Sequence, residues 1–203
     1  MKTADCSAVV SILGLLVLTA CSSSTPFNPL DEYEQLTPTT ILETPEAVAN
    51  SAYPAEVVAR GKYLTGLLGC GSCHTNGALV GQARADQLLA GSDTGIAYSN
   101  PLAEANPGVV YPSNLTPDME TGIGSWTLEQ IITMLQTGVD NHSSQTLPVM
   151  PWPSYASLEA DDAYAMAAYL KSLPPVRHRV PANVRPGQAA RFPFIHFGIY
   201  QSR

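Results

Sequence analysis

Two cysteines and a histidine occur within five residues, in the run Cys70-Gly71-Ser72-Cys73-His74. On a turn of helix, residues three apart face the same way, so both thiols can reach the two vinyl groups of one porphyrin. The next residue, His74, then lies under the iron. This C-x-x-C-H run is the attachment signature of c-type haem. The sequence therefore predicts one covalently bound haem, attached through Cys70 and Cys73, with His74 as an iron ligand.

Three other kinds of site use the same residue types. A zinc site needs two further ligands, and no second C-x-x-C pair follows, so zinc would depend on scattered histidines. A thioredoxin-like redox pair belongs in a βαβ unit, whereas a helical stretch precedes Cys70 and a Gly-rich loop follows it. A disulfide between Cys70 and Cys73 would close a very short loop and leave His74 without a role.

Met150 is the predicted second iron ligand. A Met opposite a His is a common axial pair, and it favours the reduced state. Met150 lies in the run Leu147-Pro148-Val149-Met150-Pro151-Trp152-Pro153, between two helical stretches. Its prolines restrict φ, so the loop holds one shape with little entropy left to lose. A weak thioether ligand needs such a loop.

The remaining candidates for the second ligand have simpler explanations. Met134 and Met166 fall on apolar stripes at helical spacing and are predicted to pack in the core. Met119 is expected at the surface because acidic residues flank it. Ligation by a second histidine stays open, and the candidates are His142, His178 and His196. Among these, His142 is favoured because it shares the loop of Met150.

The elements that must hold these residues are a few helices. Residues 128–137 carry apolar side chains at i, i+3, i+4 and i+7, and Thr127 with Gln130 forms a capping-box pattern before them. A second helical stretch runs from about 158 to 173 and stops at a pair of prolines. With 17 Pro and 15 Gly, the connections are expected to be long and rich in turns. The predicted fold is all-α, with few helices around one haem.

The N-terminus has the pattern of an export signal. Lys2 precedes an apolar run, residues 9–18, that is shorter than the ~20 residues needed to span a bilayer. The run ends in Leu18-Thr19-Ala20-Cys21, which resembles the lipobox of bacterial lipoproteins. That resemblance implies removal of residues 1–20 and lipidation of Cys21. The chain would then be exported and lipid-anchored to a bacterial membrane, facing the periplasm; an ordinary secretory signal is the alternative.

Composition divides the rest of the chain into three parts. Residues 21–53 are rich in Ser, Thr, Pro and acidic side chains and predict a flexible tether. Residues 54–176 are the expected folded domain. Residues 177–203 form a basic C-terminal tail, which could meet an acidic partner or lipid headgroups or pair with the acidic body. The net charge of −7 argues against nucleic acid as a partner.

The order of the motifs resembles the class I cytochrome c family. The runs that carry this resemblance are Arg60-Gly61-Lys62-Tyr63-Leu64, Cys70 to His74, the Met-Pro-Trp loop at Met150, and Ala168-Tyr169-Leu170-Lys171-Ser172-Leu173-Pro174-Pro175. Two further segments, 110–118 and 121–126, are similar to the cytochrome subunits of periplasmic alcohol, gluconate and aldehyde dehydrogenases. Those subunits usually carry three haems, and this chain, with one C-x-x-C-H run, is similar to a single module of them.

The resemblance implies a class I cytochrome c fold in the folded domain. His74 would be the proximal and Met150 the distal ligand, and Gly61 would lie near Tyr169 where the first and last helices cross. Apart from the resemblance, the aromatic rings of Trp152 and Tyr155 either line the haem site or are ordinary core aromatics.

A one-electron carrier, and not an enzyme, is the predicted function. It would accept electrons from a periplasmic dehydrogenase and pass them to an oxidase or another cytochrome in a respiratory chain at the membrane surface. One alternative is a haem enzyme or a sensor of a gas or peroxide, with an exchangeable sixth ligand. Another is a structural cytochrome subunit that anchors a dehydrogenase.

Overall fold

A computed structural model describes residues 42–139 and 149–197. The predicted signal peptide at 1–20, the predicted lipidation site Cys21 and the histidine His142 lie outside the described residues, as does most of the predicted tether.

The described chain is rich in helix and also contains a small sheet. Its helices are α1 (Ala55–Leu67), α2 (Cys70–His74), α3 (Leu128–Thr137), α4 (Trp152–Tyr155) and α5 (Ala160–Lys171), with 3₁₀ turns at Ala78–Val80 and Ala85–Gln87. Its strands are β1 (Gly95–Ala97), β2 (Val109–Val110) and β3 (Phe194–His196). None of the helices in the described ranges combines the length and apolar character needed to cross a membrane.

The sheet corrects the expectation of an all-α fold. Its order is β2-β1-β3, with β1 antiparallel to β2 and parallel to β3. The long loop after α2 supplies β1 and β2, and the C-terminal segment supplies β3. Extended backbone in these segments needs partners for its N–H and C=O groups once it is buried, and the short ladders supply them.

Helix α1 crosses α5 at Gly61. A Cβ atom added to Gly61 would overlap the Ala165 carbonyl oxygen and lie 2.6 Å from the Tyr169 Cβ. Only glycine lets the two backbones approach this closely. The predicted approach of Gly61 to Tyr169 is therefore confirmed.

Helix α3 has the ends that its sequence predicts. The Thr127 hydroxyl accepts a hydrogen bond from the Gln130 N–H at 3.2 Å, and the Gln130 side chain accepts one from the Thr127 N–H at 2.9 Å. Gly138 ends the helix with φ of +67°. Its buried face carries Ile131, Met134 and Leu135, so the predicted core position of Met134 is confirmed.

The segments before α1 and after α5 lie against the helical body. In residues 42–53, the end of the predicted tether, the Val48 N–H donates to the Ser172 carbonyl at 2.8 Å. In residues 177–197, which belong to the predicted basic tail, Val184 pairs with Val109 and β3 pairs with β1. Both segments pack because their backbone groups bond to the body.

Candidate functional site

A cavity of about 500 Å³ lies between α2 and the loop that carries Met150. Side chains of α3, α4 and α5 and the loops at 110–115 and 120–126 complete its wall. The wall is mostly apolar, with Leu115, Ile123, Leu135 and Leu170 among its members. Its size falls within the ~300–1,000 Å³ of pockets that bury most of a small ligand.

The thiols of Cys70 and Cys73 both line this cavity. The turn of α2 places them on one face, and Gly69, with φ of +69°, gives the chain the left-handed bend that starts the turn. Burial raises the pKa of Cys70 to about 11 and raises the pKa of Cys73 as well. The thiols are therefore protonated at neutral pH, unlike the thiolates of reactive redox pairs.

The imidazole of His74 lines the same cavity and is fixed by one hydrogen bond. Its Nδ1 lies 2.7 Å from the Ser113 carbonyl oxygen, which can only accept. Nδ1 therefore carries the proton, and Nε2 keeps a lone pair. Burial lowers the pKa of His74, against the opposite effect of the Ser113 hydrogen bond, so the ring is neutral at neutral pH. A neutral imidazole with a free Nε2 is a ready metal ligand.

Met150 lies on the wall of this cavity, between Val149 and Pro151. It is partly buried and packs against the apolar core. Met134 and Met166 also reach the cavity wall from their helices, and both are buried. Met119 is 69% exposed, as predicted, and does not line the cavity.

The other two described histidines, His178 and His196, do not line the cavity. The Nδ1 of His178 lies 2.8 Å from the Ala90 carbonyl oxygen, and its Nε2 lies 3.2 Å from Asp93 Oδ1. His196 lies on β3 and is not part of the cavity wall. Within residues 42–139 and 149–197, no group of three or more His, Cys, Asp or Glu side chains could hold a metal ion, as the zinc alternative requires.

Three aromatic residues line the cavity: Tyr155, which was predicted to do so, and Tyr111 and Trp126, which were not. Tyr155 does so as expected, and burial, followed by the nearby Cys70 and Cys73, raises its pKa to about 12. Trp152 instead packs against Gly138, where an added Cβ would overlap its ring. Trp126, and not the predicted Trp152, therefore lines the cavity.

Lys171 is a second residue that sequence reasoning missed. Its ammonium group donates to three backbone carbonyls, those of Ile123 at 3.3 Å, Gly124 at 2.7 Å and Trp126 at 3.0 Å. Ile123 and Trp126 line the cavity, so this one side chain connects α5 to the loop at 120–126 of the cavity wall. The sequence offers no local pattern that would pair Lys171 with these carbonyls, which lie more than 40 residues earlier in the chain.

Taken together, the cavity can accept a flat, apolar cofactor. Two thiols are available for covalent bonds, and one imidazole nitrogen and the thioethers of three methionines, Met150 among them, are available as metal ligands. The rest of the wall is mostly apolar, with a few polar residues such as Asn114 and Thr121. This donor set fits a c-type haem.

Three bacterial proteins show what the chain is similar to. The fructose dehydrogenase cytochrome subunit of Gluconobacter japonicus is 37% identical over 113 residues, which cover 56% of this chain and 20% of that protein. The alcohol dehydrogenase (quinone) cytochrome c subunit of Gluconobacter oxydans is 36% identical over 113 residues, with the same two shares. A diheme cytochrome c-type protein of Cereibacter sphaeroides is 31% identical over 117 residues, 58% of this chain and 36% of that protein.

The chain thus spans between a fifth and about a third of the length of these relatives. No family model matches it. The predicted resemblance is confirmed: the chain is similar to a single module of the cytochrome c subunits of bacterial dehydrogenases.

Proposed function

We propose that this chain is a class I c-type cytochrome that binds one haem and carries single electrons in a dehydrogenase system. The observation that carries the proposal is the single cavity lined by Cys70, Cys73, His74 and Met150. The names of the relatives support it, because they are cytochrome subunits of dehydrogenases or a diheme cytochrome.

Four side chains would hold the haem. Cys70 and Cys73 would attach it through thioether bonds, while His74 Nε2 and Met150 Sδ would be the axial ligands. When bound, haem supplies reversible exchange of one electron at its iron. The chain would orient the ligand and surround the haem. The Ser113 carbonyl holds the proton of His74 on Nδ1, and the mostly apolar wall would limit the contact of the haem with water.

We further propose that the protein is not itself a catalyst. Two protein ligands leave the iron no open position for a substrate. Electrons would then be exchanged by brief docking, through small and weak interfaces of the kind that redox partners use. The donor would be a dehydrogenase, and the acceptor would be an oxidase or another cytochrome.

The proposed location is the periplasmic side of a bacterial membrane. Residues 1–20 would direct export, and Cys21 would carry the lipid anchor. Several acyl chains hold a protein stably at a membrane where one chain gives only marginal binding. A lipid-modified Cys21 in the mass of the mature N-terminal peptide is the expected result.

Haem binding is tested by purifying the protein after export. We expect it to be coloured, to carry one haem per chain after denaturation, and to bind no carbon monoxide when reduced. Replacing Cys73 by Ala should weaken covalent attachment, whereas replacing Ser72, exposed between the two cysteines, by Ala should not. A colourless protein with both thiols reactive would refute the proposal. Binding of carbon monoxide by the reduced protein would instead favour the sensor alternative.

A further inference from the structure

Asn114 is a buried hydrogen-bonding centre directly after the residue that contacts His74. It is 1% exposed. Its side-chain amide donates to the Val176 carbonyl at 2.7 Å, and its side-chain oxygen accepts from the N–H and the hydroxyl of Thr116 at 2.9 and 2.7 Å. Because Asn114 and Thr116 are both buried and all of these groups are paired, the backbone at Ser113 has little freedom to move.

Residues 176–184, named the strap here, run along this network after α5 has ended. The Val176 N–H donates to the Thr116 hydroxyl at 3.0 Å. The His178 N–H donates to the Thr121 hydroxyl at 3.1 Å, and that hydroxyl also accepts from the Asn114 amide. The start of the strap is thus bonded to two threonines, Thr116 and Thr121, of the segment that follows Asn114.

The other end of the strap holds the same loop further upstream. The Asn183 side chain accepts from the Tyr111 N–H at 2.9 Å. Val184 and Val109 exchange backbone hydrogen bonds of 2.9 and 2.8 Å. Residues 109–116, which carry the Ser113 carbonyl, are therefore fixed along their whole length.

The strap also holds the second segment that contacts His74. The Gly91 N–H donates to the His74 carbonyl at 2.7 Å. The His178 ring lies on the neighbouring Ala90 carbonyl, and a Cβ added to Gly91 would come within 2.5 Å of Val180. Both backbone segments that bond to His74, one at its ring and one at its carbonyl, are consequently covered by the strap.

We propose that the strap positions His74 as an iron ligand and thereby helps to set the reduction potential. This inference rests on the proposed function. A carbonyl that accepts from Nδ1 makes the imidazole a more basic ligand, and outer contacts of this kind tune a bound metal. A more basic ligand stabilises the oxidised iron. Loosening the strap should weaken the Ser113 hydrogen bond and make reduction easier.

Thr116→Val is the decisive variant. Valine keeps the shape of threonine but removes the hydroxyl that bonds to Asn114 and to Val176. In the haem-loaded protein we expect the ratio of reduced to oxidised form at a fixed potential to rise about tenfold, which is about 59 mV for one electron. Thr116→Ser keeps the hydroxyl and should restore the potential.

Ser172→Ala is the matched control. Ser172 is similarly buried, and its hydroxyl bonds to Ala168 and Ser51, away from the strap. It should lower stability without moving the potential. The hyperfine-shifted proton signals of the His74 ring should likewise move in Thr116→Val and stay in Ser172→Ala.

Each outcome bears on one claim. An unchanged potential in folded, haem-loaded Thr116→Val, or an equal shift in Ser172→Ala, overturns the role of the strap. Absence of haem from the wild-type protein overturns the proposed function instead. If Thr116→Val does not fold, His178→Gln tests the other half of the strap, because it disrupts the ring contacts with Ala90 and Asp93. A smaller shift in the same direction supports the strap, and none refutes it.

Discussion

The two sides of the cavity are held in different ways. On the side of α2, directional hydrogen bonds fix His74 at its ring and at its carbonyl. On the opposite side, Met150 packs against apolar neighbours in a loop whose prolines restrict the backbone. An imidazole needs such a hydrogen bond because the bond decides which of its two nitrogens carries the proton. A thioether carries no proton, so it needs no such bond. The chemistry of each ligand thus explains the construction around it.

The largest effect is expected on the side of Met150. Met150→Ala should leave the haem attached, because neither thioether bond is touched. It should lower the reduction potential by roughly 0.2 V, a fraction of the ~0.8 V range over which axial ligands set haem potentials. Potentiometric titration measures the shift, and the weak red absorption band of Met-to-iron ligation should disappear from the oxidised protein.

Met119→Ala is the control for this prediction. Met119 is exposed and lies outside the cavity wall, so its loss should change neither the band nor the potential. If Met150→Ala kept the band, the thioether of another cavity residue, Met134 or Met166, would have to be the ligand.

A substitution at the crossing of α1 and α5 should change the free energy of unfolding and not the reduction potential. Gly61→Ala places a methyl group against the Ala165 carbonyl at the crossing of α1 and α5. We expect the free energy of unfolding to fall by about 2 to 3 kcal/mol, as overpacked cores do. Gly71→Ala is the matched control, because its added Cβ would find its nearest atoms at 3.6 and 3.8 Å. Urea unfolding of both variants tests this; equal midpoints would show that the crossing can relax.

Sequence reasoning succeeded where one residue type has a strong local consequence. The capping pair before α3 and the stop at Gly138 follow from side-chain chemistry within four residues. The approach of Gly61 to Tyr169 was implied by the resemblance to class I cytochromes c, and the helix crossing shows why a glycine is needed there. The run from Cys70 to His74 and Met150 were also singled out from the sequence, and they line the same cavity; their roles in binding haem stay a prediction.

Other features left no signal that could be read. The strands have two or three residues, shorter than the four or more that make alternation visible. The carbonyl that orients His74 belongs to the backbone of Ser113, and any residue at that position could supply it. The choice of Trp126 over Trp152 for the cavity wall depends on how two loops fold in space, which local patterns do not contain.

The smallest effect is expected behind α2, where a second cavity of about 260 Å³ lies on the far side of the turn. Its wall includes residues with hydroxyl groups, among them Thr65 and Thr75, so it is more polar than the cavity lined by Cys70 and Cys73. The Thr65 side-chain hydroxyl is buried, and within the described residues it has no hydrogen-bond partner. A threonine inside a helix often bonds to the carbonyl four residues earlier, but Thr65 lies beside a space large enough for water.

We therefore predict that water satisfies Thr65 and that Thr65→Val lowers the free energy of unfolding by about 1 kcal/mol, the typical net value of one hydrogen bond. Valine and threonine have similar helix propensities, so the comparison isolates the hydroxyl. Thr65→Ser, which keeps that group, should retain the hydration that valine loses. Urea unfolding gives the sign directly: a valine variant more stable than the wild type would mean that the hydroxyl is buried dry. The second cavity would then hold no water that bonds to Thr65.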